Sequence, residues 1–424
     1  MTLAQESTIE QMHEWVKNVV ADAVFNKVAA GLESTLLLMA PRVCWRLQAG
    51  ASGWQWVTSE GQPLEADVTI EASAETWAEL LGADPVMPGW QSFGAIIRQN
   101  DRFKVSGSDL NTALLLAALE RMIELAHSGK KKFEGAGTQR DISLITGKYT
   151  TYNEPHSPVS PIYWEESGSG IPLVMLHTAG ADSRQYRHQL ADVEVAQLWH
   201  MFAFDMPGHG RSGMPANWTA GQEYLLTQQA YLDECVKFLE QVVKAPAVIM
   251  GCSMGAAMAL VLAAQRPDLV MGVIALEAPW RAPGRQSPLL ADARINASLH
   301  NPSYVRALLG PKSPQPYRDE ACWIYSQAGF GIYRGDLGFY SNEFDGDLVG
   351  KQLASTGVSV YLLTGSYDYS ATPDNTRKLA ALIPQASLIE MKDLGHFPMS
   401  ENPDGFRPYW LDALRTLRTQ LRGD

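Results

Sequence analysis

A ten-residue run that begins at Val248 limits the possible fold of this chain more than any other stretch, and it reads V-I-M-G-C-S-M-G-A-A. An apolar segment enters G-x-S-x-G and a helical pattern follows, which predicts a buried strand, a sharp turn and a helix. Gly251 and Gly255 fit such a turn, because side chains there would collide with the neighbouring strand and helix. The turn exposes the hydroxyl of Ser253 above the sheet, at the positive end of the helix. Ser253 is therefore the candidate nucleophile, although an ordinary turn can carry the same five residues.

The length and composition narrow the class of protein. The 424 residues suit two domains, and 46% hydrophobic with 19% charged residues is typical of a globular protein. No apolar run approaches the roughly 18 residues of a membrane span, and residues 1–10 lack a secretory signal pattern. We therefore expect no membrane span and a cytoplasmic location.

Cysteine spacing and charge exclude further classes. The four cysteines lie far apart, which argues against a zinc site or a disulfide framework, so no metal and no cofactor are expected. A net charge of −12 offers no basic patch for a phosphate backbone, so nucleic-acid binding is not expected either.

A domain boundary is predicted at Lys130-Lys131-Lys132, which glycine-rich stretches flank on both sides. Glycine and charge interrupt all hydrophobic periodicity there, as in a solvated linker. We predict a first domain over residues 1–130, a linker over 131–140 and a second domain over 141–424.

The first domain combines helical patterns with short strands. Apolar residues recur on one face over residues 9–31, and Leu110 to His127 predicts a strongly apolar terminal helix. Three segments of this domain resemble the sterol-carrier-protein family: A-D-V-T-I from Ala66, E-T-W-A-E-L-L from Glu75 and F-K-V-S-G-S from Phe103. The resemblance implies a small α+β domain that encloses an apolar tunnel for a lipid-like ligand. The alternative is a domain without an internal tunnel that forms a homodimer or covers the opening of the catalytic site.

The second domain alternates strands and helices, which predicts an α/β fold with a mostly parallel sheet and helices on both faces. Five motifs resemble the α/β-hydrolase family in their order along the chain: H-T-A-G from His177, D-M-P-G-H-G-R-S from Asp205, G-C-S-M-G from Gly251, G-S-Y-D from Gly365 and L-G-H-F from Leu394. The resemblance covers nearly the whole domain and implies a hydrolase.

A serine hydroxyl is a weak nucleophile, so it needs a base within hydrogen-bond reach and an acid that fixes the tautomer of that base. Asp368 and His396 each follow a predicted strand, and the order Ser253, Asp368, His396 is the one this fold uses. His177 and His209 are alternative bases.

Two further side chains could replace members of this triad. Glu277 follows a predicted strand and is an alternative acid. Cys252 precedes the tip of the turn, so its side chain should point into the fold rather than act as the nucleophile.

The resemblance also implies an oxyanion hole formed by the backbone N–H groups of Ala179 and Met254. Thr178 stands where relatives commonly have glycine, and its hydroxyl could bind substrate instead. The aromatic-rich stretch over about 280–346 leaves the sheet pattern and is predicted to be a helical lid. Together with Phe397, its residues Trp280 and Arg281 are candidate substrate contacts, unless the aromatic residues only build the core of the lid.

These features predict a serine hydrolase that cleaves a carboxylic ester of a small hydrophobic or aromatic substrate through an acyl-enzyme. The same triad could serve a carbon–carbon bond hydrolase that acts on β-diketones or ring-cleavage products. A non-catalytic protein that binds hydrophobic ligands is the alternative from another class.

Overall fold

A computed structural model describes residues 3–84, 86–129, 137–152, 160–215, 218–219 and 222–422. The chain divides into two compact units, and each is made of two segments. The first unit comprises Met1–Lys132 and Asp292–Pro311, and the second comprises Phe133–Ala291 and Lys312–Asp424. Lys130-Lys131-Lys132 and most of the predicted linker, residues 131–136, lie outside the described residues.

The strands are β1 Leu36–Ala40, β2 Val43–Gly50, β3 Gly53–Glu60, β4 Val68–Glu71, β5 Lys104–Gly107, β6 Thr146–Thr150, β7 Ile162–Gly168, β8 Ile171–Leu176, β9 Trp199–Phe204, β10 Ala247–Cys252, β11 Val270–Leu276, β12 Val360–Gly365 and β13 Ala386–Met391. The α-helices are α1 Leu3–Ala21, α2 Ala23–Val28, α3 Ala74–Gly82, α4 Phe93–Gln99, α5 Asp109–Ala126, α6 Arg187–Leu190, α7 Gln228–Phe238, α8 Met254–Gln265, α9 Ala297–Arg306, α10 Gln315–Tyr325, α11 Ile332–Gly338, α12 Gly346–Leu353, α13 Pro373–Ala380, α14 Pro398–Glu401 and α15 Pro403–Arg422.

The first unit contains a five-stranded sheet in the order β3-β2-β1-β4-β5, in which only the β1–β4 pair is parallel. Its core is rich in aromatic residues, including Trp15, Trp45, Trp77 and Phe93. An α+β architecture is therefore present.

The helix predicted over residues 9–31 is broken into α1 and α2 at Asp22. The carboxylate of Asp22 accepts a hydrogen bond from the backbone N–H of Phe25 at 2.7 Å and forms an ion pair with Arg121 at 2.8 Å. A short acidic side chain in extended backbone geometry starts a new helix by satisfying a free N–H group of its first turn, and this explains the break.

Residues 292–311 pack within the first unit, whereas the sequence predicts that all of 280–346 forms a lid of the second domain. The helix α9 packs against α4 and α5. At this contact a Cβ atom on Gly94 would lie 2.4 Å from the Cβ of Ala307, so glycine permits the close approach. Arg98 also stacks on the ring of Tyr304, 4.6 Å from its centroid.

The second unit contains an eight-stranded sheet in the order β13-β12-β11-β10-β8-β9-β7-β6. All neighbours are parallel except the β6–β7 and β7–β9 pairs. Every residue of β10 and β12 is buried, as expected for central strands covered on both faces. The carboxyl ends of β10, β12 and β13 lie along one edge of this sheet, where such folds place their ligands.

No helix within the described ranges combines the length and the apolar composition needed to cross a membrane.

Candidate active site

Ser253 lies in the turn between β10 and α8 and has φ 54° and ψ −113°, a conformation that non-glycine residues rarely adopt. A Cβ atom on Gly251 would lie 2.2 Å from the carbonyl oxygen of Gly255, and one on Gly255 would lie 2.2 Å from the carbonyl oxygen of Leu176. Both positions therefore require glycine, because backbone atoms fill the space that a side chain would occupy.

Three side chains from different strand ends meet at this turn. His396 Nε2 lies 2.9 Å from the hydroxyl oxygen of Ser253, and His396 Nδ1 lies 2.6 Å from a carboxylate oxygen of Asp368. All three residues are at most 6% exposed. An ionised carboxylate only accepts hydrogen bonds, so Nδ1 carries the proton and the lone pair of Nε2 faces the serine hydroxyl.

Asp368 has the environment of an ionised acid. Burial opposes its charge, but His396 and the hydrogen bonds from Glu277 and the Ser370 N–H together outweigh burial and lower the pKa of Asp368 below its ordinary value. The backbone N–H groups of Ser370 and Ala371 also donate to this carboxylate at 2.6 and 3.1 Å.

Glu277, the alternative acid, follows β11 with φ 51° and is fully buried beside Asp368. Its carboxyl oxygens accept from the N–H of Gly365 at 2.8 and 2.9 Å, whereas Asp368 provides the partner of His396 Nδ1. Burial and the adjacent Asp368 raise the pKa of Glu277 well above its ordinary value. Glu277 is therefore a protonated neighbour of Asp368.

The loop after β8 brings Ala179 and Thr178 into the site. Among the residues that the structure describes, the backbone N–H groups of Ala179 and Met254 have no protein acceptor. The Thr178 hydroxyl, a candidate substrate contact, instead bonds to Gln185 at 3.1 Å and to the hydroxyl of Tyr325. Its backbone N–H donates to the same Gln185 at 3.0 Å, so this glutamine fixes the loop.

His177 and His209, the alternative bases, pack against each other with ring centroids 4.8 Å apart. His177 Nε2 accepts from the N–H of Met206 at 3.2 Å, so its Nδ1 carries the proton and donates to the carbonyl of Thr178 at 2.9 Å. Burial and the nearby His209 lower the pKa of His177 to about 4. His177 is thus neutral and links two loops through its hydrogen bonds. His396 is the histidine that bonds Ser253.

Aromatic side chains surround the triad. The ring of Phe397 lies 4.8 Å from that of His396 and 5.5 Å from that of Tyr325. The hydroxyl of Tyr340 is a hydrogen-bond neighbour of the Ser253 hydroxyl, and burial raises the pKa of Tyr340, so the phenol keeps its proton. Tyr340 lies in the aromatic-rich stretch over about 280–346, and no pattern in the sequence distinguishes it from the other aromatic residues there.

Trp280 and Arg281, two candidate substrate contacts, take part in a cluster of charged side chains. Arg281 forms ion pairs with Asp345 and Asp347 at 2.9 and 3.0 Å and is about half exposed. Its guanidinium group lies 5.1 Å from the Trp280 ring, and Lys378 lies at the same distance from that ring. None of these described contacts includes a member of the triad.

Two further residues near the site have structural roles. Cys252 is fully buried and its thiol donates to the carbonyl of His396 at 3.2 Å, in agreement with its exclusion as nucleophile. Asp205, the first residue of the second motif, fixes its loop by accepting hydrogen bonds from the backbone N–H groups of Ser183 and Arg211 at 2.7 and 2.8 Å.

Two cavities bear on ligand binding. A groove of about 600 Å³ in the second unit is lined by residues that include Gly208, Tyr224 and Phe330, but by none of the triad. In the first unit, aromatic and aliphatic side chains such as Trp77 and Met122 enclose only about 10 Å³. That volume has room for about one water molecule and not for a lipid.

No three His, Cys, Asp or Glu side chains within the described part of the chain are grouped so that they could hold a metal ion.

Sequence comparison identifies relatives of the second unit. The pattern of the "Alpha/beta hydrolase family" matches residues 173–408, more than half of the chain. An (E)-2-((N-methylformamido)methylene)succinate hydrolase from Acinetobacter baylyi is 28% identical over 119 residues, which are 28% of this chain and 42% of that enzyme. The lipase LipV from Mycobacterium tuberculosis is 30% identical over 122 residues, which are 26% of this chain and 42% of the lipase. The chain therefore spans less than half the length of these curated relatives.

Solved structures share the fold. A thermophilic esterase from Thermogutta terrifontis matches with a TM-score of 0.51 and 20% identity over 64% of this chain and 99% of the esterase. An enol-lactonase from Burkholderia xenovorans matches with a TM-score of 0.53 and 18% identity over 63% of this chain and all of the lactonase. At these identities the likeness concerns the fold.

Proposed function

This chain belongs to the alpha/beta hydrolase family, and from that premise we propose that it is a serine hydrolase that cleaves a carboxylic ester of a hydrophobic or aromatic substrate. The observation that carries the proposal is the continuous hydrogen-bonded series from Ser253 through His396 to Asp368. The proposed class is in keeping with the esterase and lipase among the similar proteins.

The proposed reaction has two halves. The Ser253 oxygen attacks the carbonyl carbon while its proton passes to His396 Nε2, and the negative charge of Asp368 stabilises the resulting imidazolium. His396 then gives this proton to the departing alkoxide, and the acyl group stays on Ser253. Water attacks the acyl-enzyme in the same manner, with His396 again as base, and releases the acid and free serine.

The tetrahedral intermediates carry a negatively charged oxygen that requires preorganised donors. The backbone N–H groups of Ala179 and Met254 are proposed for this role, since neither has a protein acceptor among the described residues. Phe397 and Tyr340 adjoin His396 and Ser253, and they favour an apolar or aromatic group at the reacting carbon. Residues 312–346, which contribute Tyr340 and Tyr325, are proposed to act as the lid.

The proposal is tested with p-nitrophenyl esters of graded acyl length and with lactone and β-diketone substrates. We expect ester turnover with a burst of one p-nitrophenolate per enzyme, and a fluorophosphonate label on Ser253 in the peptide map. Ser253→Ala should lose the burst and the label, whereas the exposed control Ser143→Ala should keep both. Full ester turnover by Ser253→Ala would reject the mechanism, and turnover of the diketone alone would favour carbon–carbon bond cleavage.

For the first unit we propose the sterol-carrier-like role that its sequence motifs imply. Its small cavity means that a lipid has to displace packed side chains such as Leu80 and Met122. A fluorescent fatty acid titrated into the full chain tests this role: micromolar binding that Leu80→Trp abolishes supports it. Wild-type protein that does not bind at that concentration would leave the unit as a filled domain.

A further inference from the structure

Asp336 is a fully buried carboxylate on α11, in the segment 312–346. One of its oxygens accepts the backbone N–H of Gly180 at 2.7 Å and lies 2.8 Å from His209 Nε2. Gly180 directly follows Ala179 in the loop after β8. A single side chain of this segment therefore bonds the residue next to the proposed oxyanion donor.

The protonation of His209 follows from its contacts. Its Nε2 faces the Asp336 carboxylate, and its Nδ1 lies 3.1 Å from the carbonyl oxygen of Pro207. Both partners are acceptors, so both ring nitrogens carry protons and His209 is an imidazolium cation. His209 and Asp336 are thus a buried ion pair, with side chains 1% and 0% exposed.

The groups that face His209 come from several elements. Asp336 on α11 is its counterion, the neutral His177 after β8 packs against its ring, and Tyr224 lies with its ring 6.1 Å away. Asp205 after β9 is a further negative neighbour. Burial alone would lower the pKa of His209, but Asp336 and the other acceptors outweigh burial and raise it.

The loop after β8 packs closely against this segment. Gly180 has φ 69°, and a Cβ atom there would lie 2.7 Å from the ring of Tyr333 on α11. Thr178, two residues earlier, contacts Tyr325 on α10. Two helices of the segment therefore contact the loop on either side of Ala179.

We propose that Asp336 is a positioning residue for the oxyanion hole: with His209 as its counterion, it fixes the Gly180 N–H and thereby the direction of the adjacent Ala179 N–H. This inference rests on the proposed function. If Asp336 has this role, the oxyanion hole is complete only while the segment 312–346 packs on the loop after β8. This role also makes the hole dependent on charge, because loss of the His209 proton leaves the Asp336 carboxylate buried without a counterion.

The sign of the pH effect follows from the raised pKa of His209. The ion pair is intact below that pKa and is lost as the pH rises through it. We therefore expect wild-type kcat to fall as the pH rises through the pKa of His209.

Asp336→Asn tests the role of the charge, because the asparagine oxygen can still accept from Gly180 while the carboxylate is lost. Asp345→Asn is the control, since Asp345 also forms an ion pair, but with Arg281 and not with a residue of the loop after β8. Turnover of a p-nitrophenyl ester is measured from pH 5 to 10 and divided by the active sites that a fluorophosphonate titrates, so that unfolded protein does not contribute. An aryl boronic acid, which forms a tetrahedral adduct with an active serine, provides a measurement besides turnover.

We expect Asp336→Asn to lower kcat per active site about 10- to 100-fold, less than the roughly 10²- to 10³-fold of a lost oxyanion donor. KM should stay similar, boronic acid affinity should fall with kcat, and the alkaline decline should disappear. A kcat within twofold of the control, or the same pH profile in both proteins, would overturn the proposal. Absence of any Ser253-dependent turnover in wild type would instead reject the proposed function.

Discussion

At the scale of single residues, two adjacent carboxyl groups differ in protonation. Asp368 bonds a histidine and two backbone N–H groups, which favours its charged form. Glu277 is fully buried next to Asp368, and burial together with this neighbouring carboxylate favours its neutral form. Two like charges in contact would be strongly unfavourable in this buried site, so a neutral Glu277 allows Asp368 to stay ionised.

Substitution by the corresponding amides should separate these two roles. Glu277→Gln resembles the protonated acid in shape and charge, so we expect kcat to change less than about threefold, a difference below 1 kcal/mol. Asp368→Asn removes the charge that fixes the tautomer of His396, and we expect kcat to fall about 10³- to 10⁴-fold. Steady-state kinetics with a p-nitrophenyl ester measures both effects. Equal losses in the two variants would show that Glu277 also carries charge.

Tyr340 is an aromatic residue whose hydroxyl adjoins that of the nucleophile Ser253. Tyr340→Phe removes one neutral hydrogen bond of about 0.5 to 1.5 kcal/mol, so we expect kcat/KM to fall about 2- to 13-fold. Tyr317→Phe is the control, since Tyr317 contacts Arg140 and Asp404 instead. If the two variants have the same kcat/KM, the Tyr340 hydroxyl does not act on the nucleophile.

The sequence predicts the meeting of Ser253, Asp368 and His396 because short motifs determine where each side chain leaves its strand. It does not predict the contact between Gly180 and Asp336, which are 156 positions apart. Asp336 lies in no recognisable motif, and its partner is a backbone N–H group that every loop possesses. Such contacts depend on how a segment outside the sheet packs, and hydrophobic periodicity does not encode that packing.

At the scale of elements, the turn at Ser253 and the helix α9 illustrate what local patterns can and cannot predict. The turn follows from glycines separated by a fixed spacing, so its strand and helix are evident in the sequence. The helix α9 is also a local element, but its packing with the first unit, far from it in sequence, is not a local property. The break at Asp22 is not evident in the sequence for a different reason: the apolar face continues through it, and only the capping side chain marks the start of the new helix.

Gly94→Ala tests the packing of α9 on α4. The new methyl group would lie 2.4 Å from the Cβ of Ala307, and such overpacking costs about 1 to 3 kcal/mol. Gly82→Ala is the matched control, because Gly82 also lies in a helix and a Cβ there meets no atom within 4 Å. Calorimetric melting should show a lower transition temperature for Gly94→Ala only, with faster proteolysis at Arg294 or Arg306. Equal melting of the two variants would contradict this packing.

At the scale of the whole molecule, each unit contains a buried titratable group that makes its properties depend on pH. In the second unit it is His209 with its counterion Asp336. In the first unit it is Glu120 on α5, which is 2% exposed and accepts the N–H groups of Phe93 and Gly94 at 3.0 and 2.9 Å. Burial raises the pKa of Glu120 to about 7, although these two N–H groups and Arg306 oppose the shift.

Because its folded-state pKa is raised, Glu120 destabilises the folded protein as the pH rises from about 4.5 to about 7. The difference between these two pKa values corresponds to roughly 3 kcal/mol. The free energy of unfolding is therefore lower by this amount above neutral pH than in acid. The side chain of the Glu120→Gln variant cannot ionise. Between pH 5 and pH 8 the unfolding free energy of the variant should therefore decline less than that of wild type, by about the same amount. Glu33→Gln, on an exposed side chain, should keep the wild-type decline. Calorimetry at both pH values measures the difference, and a decline as large in Glu120→Gln as in wild type would mean that Glu120 is ionised throughout.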